Sequence, residues 1–164
     1  MVAFGAIHKA SELVDRAATV LIVALLAAMT VVTFSQIIFR VFFTALIWSE
    51  EIARYMLVWL TFIGAGSVHK RMGHISIDLL RNALPAKVQK PFQIVTHLIC
   101  VVAFVVVVYF GIAYIQVTQA QLSAAMRIPM WYAYIAMPIG GATMLLHSVS
   151  HILKILVKER VAAQ

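Results

Sequence analysis

Charged side chains make up only 12% of this sequence, against roughly a quarter in ordinary soluble domains. With 63% of the 164 residues hydrophobic and a mean hydropathy of +0.98, a soluble globule is excluded. The single cysteine, Cys100, lies within an apolar run, so no disulfide framework, CxxC redox pair or cysteine metal site can be built. Acidic residues number only six, and none falls deep inside the long apolar runs. Proton relays and charged-substrate sites in membranes depend on such buried ionisable groups. A complete pump is therefore not expected of this chain alone, although unwound backbone carbonyls can hold sodium without any charge.

What is present is a succession of apolar runs, each long enough to cross a hydrocarbon core of roughly 30 Å. Charge-free residues 17–39 predict the first span, and the mixed segment before it (Lys9, Glu12, Asp15, Arg16) fits the start of a helix lying on the membrane surface. Residues 50–68 predict the second, with Ser49 placed to cap it and Glu50 and Glu51 in the first turn, where the helix dipole favours anions. Residues 91–115 predict the third, its exit marked by Gln116, Thr118, Gln119, Gln121 and Ser123. Residues 131–153 predict the fourth, with Pro138 and Gly140-Gly141 as sites of a kink or of close helix approach. Between the second and third, apolar residues at helical spacing predict a short interfacial amphipathic segment over about 74–84. The expectation is all-α: an integral membrane four-helix bundle forming one domain, 1–164, with no repeat or low-complexity tract.

Thirteen Lys and Arg against six Asp and Glu give +7, which in a soluble protein would point to nucleic acid. Ten of the thirteen fall in the amino-terminal segment, the central loop and the carboxy-terminal tail, leaving Arg40, Arg54 and Arg127 on the other side. That asymmetry places both termini and the central loop in the cytoplasm and explains the charge without nucleic acid.

Trp48, Glu50, Glu51, Arg54 and Arg127 gather at the outer interface. Glu50 and Arg54 stand four apart and form an opposite-charge pair on one face. Neighbouring residues on a helix diverge by about 100°, so Glu51 must point elsewhere, and the cluster is a candidate for docking a partner. Acid/base hydrolysis is not expected from two carboxylates that diverge and lack a pocket or nucleophile. Gly64, Gly66, Gly140 and Gly141 offer smooth surfaces for helix packing, within the chain or against another subunit. Pro138 leaves the Tyr134 carbonyl needing another partner.

His97, His147 and His151 all fall near the cytoplasmic leaflet, with His147 and His151 on one helix face. Histidines at equal depth on opposing helices can hold haem axially, so a cytochrome b-like electron-transfer subunit is the alternative reading; helix packing is the plainer one. His69 and His74 read as solvated residues of the basic loop. A small multidrug exporter would need a deep carboxylate in its first span, which this chain lacks.

The run Trp48-Ser-Glu-Glu-Ile-Ala-Arg-Tyr-Met-Leu-Val-Trp-Leu-Thr-Phe-Ile-Gly64, followed by Gly73-His74-Ile-Ser-Ile-Asp78-Leu-Leu80, resembles the small membrane subunit (DctQ-type) of tripartite ATP-independent periplasmic, or TRAP, transporters. Arg127-Ile-Pro129-Met-Trp-Tyr-Ala-Tyr-Ile-Ala-Met-Pro138-Ile-Gly140 is similar to that family's entry into its last span. Together these cover a little under half the chain. The resemblance implies a multi-pass protein of the bacterial inner membrane, no enzyme and without cofactor, in a sodium-driven symporter for organic acids such as dicarboxylates. Its implied partners are a large TRAP permease subunit, which it braces, a periplasmic substrate-binding protein, which it helps to dock, and membrane lipid. In relatives where the two membrane subunits are fused the chain continues; the short tail here implies a separate large subunit.

Overall fold

The computed structural model describes residues 2–72 and 85–162, all helix and connecting turns apart from one isolated bridge. The predicted interfacial segment over 74–84 falls outside the described residues. Helix α1 spans Val2–Phe42, α2 Ser49–Met72, α3 Ala86–Thr118, the single turn α4 Trp131–Tyr134, and α5 Ala136–Ala162. Among the described residues, three stretches are long and apolar enough to cross a membrane: Lys9–Phe42, Pro91–Thr118 and Trp131–Ile155.

Helices α1, α2 and α3 outrun their predicted apolar cores at both ends, and α5 outruns the fourth at its carboxy-terminal end. The 41 residues of α1 extend about 60 Å at 1.5 Å per residue. The segment from Lys9 to Arg16 is thus no separate surface helix. Nothing in it breaks helix geometry, and it continues unbroken into the apolar part of α1. Threonines in the apolar stretches turn their hydroxyls back onto the carbonyl one turn earlier, as Thr30 does to Leu26 and Thr61 to Leu57 (both 2.8 Å). This satisfies a polar group without a neighbour, which is what lets threonine face lipid.

Packing runs from α1 to α2, from α2 to α5 and from α5 to α3, with α1 also against α5. Helices α1 and α3 form the flanks and α2 and α5 the middle. The two inner seams are made by small residues. A methyl group placed on Gly140 would lie 2.7 Å from the Phe62 Cβ and 2.8 Å from its carbonyl oxygen, so α5 touches the backbone of α2 there. One on Gly141 would lie 2.8 Å from Val108, and one on Gly66 2.6 Å from the Thr143 hydroxyl. Gly111, which the sequence did not single out, takes the ring of Pro138 at 3.1 Å. Gly64 differs: among the described residues a methyl group there would meet nothing within 4 Å.

Pro138 sits in the first turn of α5, just after Ile135, which separates α4 from α5 but keeps helical dihedrals (φ −63°, ψ −19°) and donates its amide to the Trp131 carbonyl at 2.9 Å. First-turn amides have no intrahelical partner in any case.

Among the described residues the buried apolar core is only Ile63, Ala133, Ala136 and Met144, while large side chains along α1 and α3 are exposed. Close approach rather than bulk therefore holds the inner seams. Gly140→Ala is expected to destabilise the fold by roughly 1–3 kcal/mol through overpacking against the Phe62 backbone. Gly64→Ala should leave it unchanged. Thermal unfolding of the two variants in the same detergent checks the contrast.

Candidate functional site

Polar groups collect at the two ends of the bundle. At one end, the carboxylate of Asp15 on α1 is 12% exposed and faces α2. It accepts a hydrogen bond from the Ser67 hydroxyl at 2.8 Å, from Arg71 Nε and Nη2 at 3.4 Å, and an ion pair from Lys70 at 3.7 Å. Lys70 also donates to the Ser11 carbonyl at 2.8 Å. The Ser11 hydroxyl meets His147 Nδ1 on α5 at 2.9 Å, and His69 Nε2 meets the Ser148 hydroxyl at 2.7 Å. Ser11, Asp15, Ser67, His147 and Ser148 are all buried.

His97, His147 and His151 do converge at this end, with His69 among them. His69 belongs to the last turn of α2, half-buried against α5, rather than to a solvated loop. The rings of His97 and His151 stack face to face, 5.5 Å between centroids and 7° from parallel. Axial haem ligation needs two ring nitrogens aimed at each other across the iron. Stacked rings do not present them so, and the convergence serves packing between α3 and α5.

The other end holds the start of α2 and the turn region between α3 and α4. The Ser49 hydroxyl, wholly buried, donates to the Leu46 carbonyl at 2.7 Å and ties the helix start to the preceding turn. Glu50 and Arg54 form the expected exposed pair at 3.2 Å. Glu51 diverges from it as helix geometry requires. Its Oε2 accepts the backbone amides of Ala125 (2.8 Å) and Met126 (3.3 Å), and its Oε1 accepts the Tyr55 hydroxyl.

The segment that Glu51 grips is itself ordered. Leu122 and Pro129 form an antiparallel bridge, Ser123 N–H donates to the Ile128 carbonyl at 2.8 Å, and Met130 N–H to the Gln121 carbonyl at 2.9 Å. Arg127 closes the turn at φ 53°, the left-handed region that costs a side-chain-bearing residue about 1–2 kcal/mol. The Trp59 indole donates to the Tyr132 carbonyl at 3.0 Å, a second tie from α2 to the same region.

Between α2 and this turn lies an open groove of about 440 Å³ whose walls include Ile47, Glu50, Arg54, Leu122 and Met130. Trp48 and Arg127, both exposed, stand outside its lining. The sequence-predicted cluster is thus split: Glu50 and Arg54 face solvent together, Glu51 holds the turn, and Trp48 and Arg127 flank the surface. Glu51→Gln should loosen the turn while leaving α2 intact. Hydrogen exchange is expected to accelerate at the amides of Ala125 and Met126 and to stay unchanged along the body of α2.

Residues 29–158 match the family described as tripartite ATP-independent periplasmic transporters, DctQ component. Among curated relatives, the C4-dicarboxylate TRAP transporter small permease protein DctQ of Vibrio cholerae is 31% identical over 63% of this chain. The match covers only 44% of that relative's length. The protein of the same description from Rhodobacter capsulatus is 26% identical, over 81% of this chain and 73% of its own. The sialic acid TRAP transporter permease protein SiaT of Haemophilus influenzae is 29% identical over 68% of this chain but only 18% of its own. A family match across most of the chain, joined to three helices able to span a membrane, identifies a multi-pass inner-membrane transporter component and not an enzyme: the chain belongs to the DctQ family of TRAP transporter small permease subunits.

Proposed function

We propose that this subunit is a static brace for a large TRAP permease subunit and a docking platform for a periplasmic substrate-binding protein, in a sodium-driven importer of organic acids. The observation that carries this reading is the distribution of charge. No Asp, Glu, Lys or Arg falls within residues 17–39, 55–68, 91–126 or 128–153, and the polar groups concentrate at the two ends. A chain so built offers surfaces rather than a pathway for an ion or a charged substrate. The exposed apolar flanks of α1 and α3 suit a large membrane partner. The relatives' names, C4-dicarboxylate, sialic acid and isethionate, support organic anions as cargo.

The reading includes four spans, with α2 crossing beside the three more apolar stretches. Its support is that α2 reaches from the Glu51 end to the Asp15 end of the bundle. Both termini then lie in the cytoplasm, and the groove beside Glu50 and Arg54 opens to the periplasm, where the exposed Arg127 and Trp48 extend the surface.

Proteoliposomes that contain both membrane subunits test this directly. An imposed sodium gradient should drive uptake of a labelled carboxylate only when the binding protein is supplied. The double variant Glu50→Lys with Arg127→Glu, which spares the Glu51 clasp, should raise the binding-protein concentration needed for half-maximal uptake, more so at low salt. Unchanged uptake would remove the docking role; dissociation of the two membrane subunits would reassign the cluster to their interface.

A further inference from the structure

The way α1 is held differs from the way the other helices are held. Inner seams between α2, α5 and α3 are made by glycines against backbone, a proline ring or the side chains of Thr143 and Val108, at separations that fix both rotation and depth. Among the described residues of α1 there is no such glycine seam. Among its described side chains only Ser11 and Asp15 are buried, and both are polar. Beyond Arg16, its contact face along Ile22, Leu25, Met29 and Val32 is at best half-buried.

In lipid, apolar contact between helices has little advantage over apolar contact with acyl chains, so a half-buried apolar stripe specifies neither rotation nor depth. A carboxylate does. Asp15 has Ser67, Lys70 and Arg71 around it from α2. Four residues earlier on the same face, Ser11 binds His147 of α5 through its hydroxyl and Lys70 through its carbonyl. Four residues later, Thr19 accepts a hydrogen bond from Arg71. Ser11, Asp15 and Thr19 therefore lie along one stripe that is polar at this end and apolar beyond it. A rotation by one residue, about 100°, would withdraw the carboxylate from all three of its partners.

We infer that Asp15 is the positioning residue of α1: a polar latch at one end of the helix sets the rotation and depth of its whole exposed apolar length. The latch lies at the end of α1 opposite its six-residue connection to α2 (residues 43–48), so its loss releases the amino-terminal end of α1 and leaves the glycine-packed helices in place. Burying an ion pair for specificity in this way serves register rather than raw stability.

Spin labels read the latched end. In the full-length protein in lipid nanodiscs, with Cys100→Ala as background, one label pair is Leu13→Cys with Leu98→Cys, across α1 and α3. A second pair, Leu57→Cys with Tyr109→Cys, reports on α2 and α3. All four labelled positions are exposed. Asp15→Asn is expected to broaden and shift the first distance distribution and to leave the second unchanged, and Asp15→Glu to restore the first. An unaltered first distribution in Asp15→Asn would overturn the inference. So would equal disturbance of both pairs, which would make Asp15 a support of the whole bundle. Should Asp15→Asn fail to accumulate, Lys70→Gln with Arg71→Gln removes the same ion pairs from the α2 side and is read by the same two distributions; failure of that variant as well counts as the second overturning outcome.

Discussion

Lipid is as apolar as leucine, and that fact governs how this chain is put together. In water a helix is placed by burying its apolar face; in a bilayer the same face is equally content against acyl chains, so placement falls to close backbone approach and to polar groups that have no partner elsewhere. Both devices are present and they divide the work. Glycines 66, 111, 140 and 141 bring α2, α5 and α3 together, Asp15 with its serine and basic partners places α1, and Glu51 fastens the turn after α3 to the start of α2.

The consequence for function is an inside-out economy of surface. Large apolar side chains point outward along both flanks while the buried positions among the described residues, Ile63 and Met144 apart, are small or polar. A protein that carried its own transport pathway would keep ionisable groups in mid-membrane, facing inward. Here they are withdrawn to the ends, where they order the subunit's edges, and the smooth middle is left for lipid and for the larger membrane partner proposed above.

Much of this was legible in the sequence because it depends on local pattern. Apolar runs and their charge-free lengths locate the helices, and the divergence of Glu50 from Glu51 follows from helix geometry before any contact is known. The smooth Gly140-Gly141 pair was readable for the same reason. What could not be read depends on residues distant in the chain. Glu51 finds amides 74 and 75 positions away. Asp15 looked like one charge in a mixed amino-terminal segment, and only the return of Ser67, Lys70 and Arg71 to its side makes it buried and specific. Gly111 was hidden among valines because its role is set by the Pro138 ring across a seam. His69 looked solvated for want of Ser148.

The central claim, that this chain works as one part of a transporter and carries no redox centre, is tested most directly by purifying it, tagged, from its native membranes in mild detergent. Mass spectrometry of the co-purifying proteins and a visible absorption spectrum of the same fraction are the two readouts. The account predicts a colourless complex with a much larger multi-spanning membrane protein. A Soret band in a fraction without that partner would contradict it.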